Sequence, residues 1–208
     1  MEKMLIRQQN LEEMKEIYHG MLARHFPSDE IKPFSRIKES YEKGEYVGYG
    51  LYEDRPDAEC LAYAWLCRIS SENWILLDYY AVTEKLRGQG MGSWFLKQIF
   101  EKYSRGMSVI IEVEDPDRIR EDQAISLEEE REKRLRRMSF YLKNGVKQTE
   151  LRASVFQIPY SIMVYFPQDS EQSVVSFDRE SLKRAYYYFY SRVPWNVKIG
   201  EMHEIEQQ

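Results

Sequence analysis

The chain is short of cysteine, of histidine and of long apolar runs. Cys60 and Cys67 are the only cysteines among 208 residues. They fall in one strand-like stretch, too few and too poorly spaced for a disulfide framework or a zinc site. The expectation is two buried thiols in a reducing compartment, and no bound metal. No apolar run approaches the roughly 20 residues that a bilayer-spanning helix needs. The opening MEKMLIRQQNLEEMKEIY lacks the uninterrupted apolar core of a signal peptide. A net charge of −5 disfavours non-specific binding to nucleic acid or anionic lipid. These absences point to a cytoplasmic protein with neither nucleic acid nor membrane as partner. What is present, 43% hydrophobic and 14% aromatic residues, is enough to exclude disorder. The length suits one large domain, or a domain with an appendage.

Periodicity organises the chain. Met4 to Arg7 reads as a strand, and Asn10 with Glu13 forms a capping box. Leu11, Met14, Ile17, Tyr18, Met21 and Leu22 then recur at helical spacing, and Phe34, Ile37 and Tyr41 stripe a second helix. Residues 45–54 and 58–70 read as a hairpin about Arg55-Pro56-Asp57, and 73–82 and 108–114 as two further strands. A helix is expected over 125–145, with pairs Glu129–Lys133, Glu130–Arg134 and Glu132–Arg136 and a stop at Asn144-Gly145. Its basic run REKRLRR (131–137) reads as a solvated face. Short strands follow near 152–157 and 160–166, and a last helix runs from an Asp178 cap through Leu182, Ala185, Tyr186 and Phe189. The order is α+β, a mostly antiparallel sheet with one crossover helix in its middle. The expected division is a domain over 1–166 and a helical extension over 167–208 whose tyrosines pack it onto that domain. Self-association through this tail, into a homodimer, is a further candidate role.

Glycine is the informative scarcity. Three of the ten glycines, Gly88, Gly90 and Gly92, lie within five residues, between the strand 73–82 and an apolar-striped helix. Glycine lets amides converge and a ligand approach without a Cβ in the way. At a helix N-terminus the unpaired amides and the helix dipole make an anion site, and Lys85 and Arg87 add charge. A phosphate or pyrophosphate is the natural guest. Without a Gly-Lys-Ser/Thr ending the loop is no Walker A motif, and the third glycine is misplaced for a dinucleotide fingerprint.

Arg87-Gly88-Gln89-Gly90-Met91-Gly92 resembles the R/Q-x-x-G-x-G/A signature of the GNAT superfamily of acyl-CoA-dependent N-acyltransferases. One strand and one helix later, RMSFYLKNGV (137–146) resembles that family's F-Y-x-x-x-G-F element, with Val146 in the usual aromatic place. The resemblance covers about residues 3 to 166. It implies a mixed, mostly antiparallel central sheet whose strands 73–82 and 108–114 splay apart, flanked by helices. It implies acetyl-CoA as cosubstrate and an amine acceptor as partner. The amides of Arg87, Gly88, Gln89, Gly90, Met91, Gly92 and Ser93 would cradle the pyrophosphate. The strand end at Ala81, Val82 and Thr83 would pair with the pantetheine arm, and an amide near Tyr80 or Ala81 would face the thioester carbonyl.

Acetyl transfer to an amine needs a neutral amine, an oxyanion donor and a proton for the departing thiolate. The resemblance gives the proton donor's place to Tyr141. For a base or a cation attractor the candidates are Asp78 on the first splayed strand and Glu112 and Glu114 on the second, with Glu112 preferred to Asp78. Glu112 and Glu114 share one side of their strand. His19, His25 and His203 read as surface or packing residues, and FPSDEIKPFSRI (26–37) as a rim of the acceptor side. A GNAT-fold module that binds acyl-CoA without turnover, as a sensor or scaffold, is the alternative.

Overall fold

Helix starts follow local chemistry closely. Asn10 accepts from the Glu13 amide at 3.0 Å while the Glu13 carboxylate accepts from the Asn10 amide at 2.9 Å. Ser126 and Glu129 make the same reciprocal pair, and Asp178 caps the last helix through the Ser181 amide. The computed structural model describes residues 3–69, 72–104, 106–119, 126–167, 177–190 and 197–201. The chain forms two compact units, Met1–Ile69 with Ile75–Tyr103, and Ser70–Trp74 with Ser104–Gln208. Among the described residues no helix is long and apolar enough to cross a membrane.

In the first unit, β1 (Met4–Gln9) leads into α1 (Leu11–Ile17), which widens into a π turn at Tyr18–Leu22 and ends as α2 (Ala23–His25). Helix α3 (Phe34–Glu42) follows, then β2 (Tyr46–Glu53), β3 (Ala62–Ile69), β4 (Trp74–Val82, whose first residue belongs to the second unit) and α4 (Met91–Gln98). The strand order is β1-β2-β3-β4, with β1/β2 and β2/β3 antiparallel. Met14, Ile17, Leu22 and Ile37 from the helices close on Tyr46, Tyr63, Trp65 and Tyr79 from the strands. Each such burial is worth ~1.5–3 kcal/mol. The two glycines of β2 have a specific cause. Gln9, Gly48 and Trp65 are register partners across three strands, and Gln9 Oε1 accepts from the Trp65 indole at 2.9 Å directly over Gly48. Gln9 Nε2 also donates to the Tyr52 hydroxyl at 3.0 Å. A Cβ on Gly48 would stand 2.8 Å from Gln9 Oε1, and one on Gly50 would stand 2.5 Å from Gln9 Nε2.

In the second unit, β5 (Ser108–Glu114) is followed by α5 (Leu127–Lys143), β6 (Lys147–Val155), β7 (Ile158–Tyr165), α6 (Arg179–Phe189) and β8 (Val197–Gly200). The order here is β5-β7-β6-β8, antiparallel throughout. Three sequence expectations change. Strand β6 begins directly after the Gly145 stop, and its hairpin turns on Phe156 and Gln157, both with positive φ. That turn type normally carries Asn or Gly, so the sequence hid it. The tail adds a strand, β8, to the edge of β6 as well as its helix. The basic run is not wholly solvated, because Arg134 is 1% exposed. Its guanidinium pairs with Glu130 at 2.9 Å and Glu114 at 3.1 Å and donates to the Asp115 carbonyl at 2.9 Å. Glu130–Arg134 and Glu132–Arg136 pair as expected. Glu129 instead serves the Ser126 cap, and Lys133 turns to Glu130.

Candidate functional site

Strand β4 ends at Val82 and passes through Thr83 into a single 3-10 turn, Glu84–Leu86, anchored by the buried Leu86. Residues 87–90 then deliver the chain to α4. Gly88 and Gly90 have φ of +75° and +76°, the left-handed region in which a side chain is strained. A Cβ on either would meet nothing of the protein within 4 Å. The left-handed conformation therefore favours glycine here, and packing does not, because the space above the turn is open. Gly90 is the N-cap of α4 and offers no side-chain acceptor. The first-turn amides of Met91, Gly92 and Ser93 have no partner within the helix, by helix geometry. Asn10, Ser126 and Asp178 each cap their helices, whereas α3, after Pro33, starts uncapped as α4 does; the two left-handed glycines are what set the α4 start apart.

Neighbouring contacts make the turn rigid. The Tyr80 hydroxyl donates to the Gly92 carbonyl at 2.6 Å and its ring stacks on Phe95 at 5.8 Å. Gln89 Nε2 donates to the Lys85 carbonyl at 2.7 Å. The positive charge expected of Lys85 is already engaged, since its ammonium lies 2.5 Å from Glu53. Lys85 and Arg55 together hold the Glu53 carboxyl down at about 2. Arg87 keeps its charge near the turn: it is largely exposed, with Glu84 at 3.8 Å and the Val82 carbonyl at 3.3 Å. His25 Nδ1 lies 3.1 Å from the Tyr63 hydroxyl, and burial, then Arg87 and Arg24, lower its pKa, so it adds no charge at neutral pH. Ala81 packs on the aromatic core, and the Thr83 hydroxyl is buried without a partner. The residues present thus suit a pyrophosphate: a braced glycine turn with open space above it, uncapped amides and one largely exposed guanidinium.

The carboxylates are held more firmly than the sequence suggested. Asp78 is buried on β4, with Lys32 Nζ at 2.6 Å on one oxygen and the Tyr46 hydroxyl at 2.6 Å on the other. Burial and the Asp78 charge raise the Tyr46 pKa well above its ordinary value, so that phenol stays a donor. The 30–32 segment is pinned beside this pair. The Lys32 amide donates to the Tyr79 hydroxyl, which donates to the Glu30 carbonyl, while the Tyr18 hydroxyl donates to the Lys32 carbonyl. Lys32 carried no sequence signal, because its partner lies 46 residues away.

In the second unit, Glu112 on β5 accepts from Tyr186 and from Tyr190, the latter at 2.9 and 3.0 Å on its two oxygens. Tyr186 lies on α6 and Tyr190 is its C-cap, so the tyrosine-rich tail does more than pack. Glu114 is buried and ion-paired with Arg134 and Arg137. Tyr141 lies half-buried on α5 in edge contact with Phe140 at 5.3 Å. Burial pushes its phenol up to about 12. Val146, in place of an aromatic residue, is itself buried and serves packing at the helix end.

No family model and no curated protein matches the chain. Solved structures do. A GNAT-family acetyltransferase from Bacteroides thetaiotaomicron matches 89% of this chain and 97% of its own, at 16% identity and a TM-score of 0.60. The ribosomal-protein-S18-alanine N-acetyltransferase of Escherichia coli matches 82% of this chain and 99% of its own, at 15% identity and a TM-score of 0.54. A GNAT-family acetyltransferase from Staphylococcus aureus Mu50 matches 78% and 98%, at 12% identity and a TM-score of 0.52. The fold is the GNAT fold.

Proposed function

We propose that this GNAT-fold chain is an N-acetyltransferase that moves an acetyl group from acetyl-CoA to a primary amine of a small molecule or protein, by direct attack in a ternary complex. The observation that carries the reading is the α4 start: two left-handed glycines with open space above them, and three first-turn amides that no side chain caps. Hydrogen bonds from such amides to a charged group are worth ~1.5–3 kcal/mol each. Arg87 adds a cation beside them. The end of β4, Ala81 to Thr83, is the edge on which the pantetheine arm would lie.

Tyr141 is the proton donor in this reading. Its raised pKa keeps the phenol protonated at neutral pH, as a donor must be. Full transfer to a thiolate, whose ordinary pKa is ~8.5, is uphill. Tyr141 therefore acts mainly as a hydrogen-bond donor to the departing sulfur. Glu112, kept half-buried by two phenols, remains preferred as the group that attracts or deprotonates the amine. Asp78 is neutralised by Lys32 and serves better to fix the 30–32 segment. The same engaged carboxylates favour the second reading, an acyl-CoA-binding module without turnover.

Calorimetric titration with acetyl-CoA of the wild type and Gly90→Glu tests the binding claim. Micromolar binding that vanishes in the variant supports it, and a folded wild type that binds nothing overturns it. An amine-acceptor screen then separates enzyme from sensor by turnover.

A further inference from the structure

Trp94 stands out among the tryptophans. Trp65 and Trp74 are fully buried, and their indole N–H groups are bonded to Gln9 and to Ser181. Trp195 lies outside the described residues. Trp94 is 39% exposed, and its side chain has neither a hydrogen bond nor a ring partner among the described residues. It sits off the buried stripe of its helix, where Phe95, Leu96 and Ile99 face the core. Packing covers part of the ring and leaves a large aromatic face open to solvent.

Position gives that face a use. Trp94 begins the second turn of α4, and its amide bonds the Gly90 carbonyl at 3.0 Å. Helical side chains lean toward the N-terminus, over the preceding turn. The indole thus leans toward the turn whose amides are uncapped, its backbone about 6 Å along the axis from Gly90, and leaves the space over Gly88 and Gly90 open. Direction matters as well. In the proposed reading pantetheine runs back along Ala81 to Thr83, so the other substituent of the pyrophosphate leaves on the opposite side, past the start of α4. In coenzyme A that substituent is a 3′-phosphorylated adenosine, and one ribose separates the pyrophosphate from a flat base.

We propose that Trp94 is a stacking platform for the adenine of the acyl-CoA cosubstrate, and so the residue that makes the chain select a nucleotide-bearing thioester over a bare phosphopantetheine thioester. The inference rests on the proposed function, because it takes the phosphate position from that reading. Stacking of a base on an aromatic side chain tolerates any flat base, and its loss weakens binding by roughly five- to 150-fold.

The test is calorimetric titration of the full chain, as wild type, Trp94→Ala and Trp94→Phe, with acetyl-CoA and with S-acetyl-4′-phosphopantetheine. The expected result is acetyl-CoA binding about tenfold weaker in Trp94→Ala and largely restored in Trp94→Phe, with the phosphopantetheine ester bound equally by all three. Unchanged acetyl-CoA affinity in Trp94→Ala, or equal losses for both ligands, overturns the platform while leaving the cosubstrate assignment standing. A wild type that binds neither ligand overturns both. Thermal melts of the variants identify any general loss of fold, and the Phe variant keeps the test decisive if the alanine variant melts early.

Discussion

Two glycines with nearly the same backbone allow a controlled test of the phosphate turn. Gly90 opens α4 with φ +76°, and Gly44 follows the end of α3 with φ +74°. An added Cβ would meet nothing within 4 Å at either position. Gly→Ala therefore costs only backbone strain in both: ~1–2 kcal/mol for a left-handed alanine, less ~0.4–1 kcal/mol from the stiffer unfolded chain. The net is about 1 kcal/mol, or about 2–4 °C in melting temperature for a chain of this size. Their ligand binding should differ. Any Gly90→Ala relaxation of the turn disturbs amides that each contribute ~1.5–3 kcal/mol to an anion, so losing one weakens acetyl-CoA about 10- to 150-fold. Gly44→Ala should bind as the wild type does. Thermal melts and calorimetric titrations of the pair read both quantities. Equal affinities would refute the placement of the phosphate. A stability loss much larger in one variant than the other would refute the claim that strain alone is at stake.

Three further outcomes are expected. Tyr141→Phe should lower kcat about 100-fold, within the ~1.5–3 kcal/mol of one hydrogen bond to a charged group, with KM for acetyl-CoA unchanged; steady-state rates that do not fall remove Tyr141 from the chemistry. The Glu53 carboxyl titrates at about 2 in the fold against 4.5 ordinarily. Its contribution to stability is therefore complete above pH ~4.5 and lost as pH falls toward 2, and Glu53→Gln should flatten that part of a urea-denaturation profile against pH. Arg134→Met leaves Glu130 and Glu114 short of a buried partner and should cost ~3–5 kcal/mol in urea unfolding. A loss under 1 kcal/mol would mean that Lys133 and Arg137 suffice.

Features set by local geometry were legible in the sequence. Asn10 and Ser126 announce their helices because a cap needs only three following residues, and Gly88 and Gly90 announce left-handed backbone because few other residues adopt it. What depends on distant partners was not. Glu130–Arg134 has the same spacing on a wet surface as in a core, so the burial of Arg134 needed Glu114 and the Asp115 carbonyl to become visible. Glu112 could be placed on a strand face, but not beneath Tyr186 and Tyr190, which lie more than 70 residues away. The Phe156-Gln157 turn was hidden by its own atypical residues, and β8 by its brevity. Trp94 carried a signal that periodicity alone passes over, a large aromatic off the apolar stripe.

The Gln9 bridge over β2 constrains the routes by which this sequence can change. Gln9, Gly48 and Gly50 draw on one shared space, so a side chain at position 48 or 50 arrives in collision with the glutamine amide. Shortening position 9 first frees only part of that space, since Tyr52 would still stand 2.5 Å from a Cβ on Gly50, and it strips the buried Trp65 indole of its acceptor and the Tyr52 hydroxyl of its donor. Every single step from the present trio is uphill. The three positions form one inherited character, open to concerted replacement and closed to gradual drift.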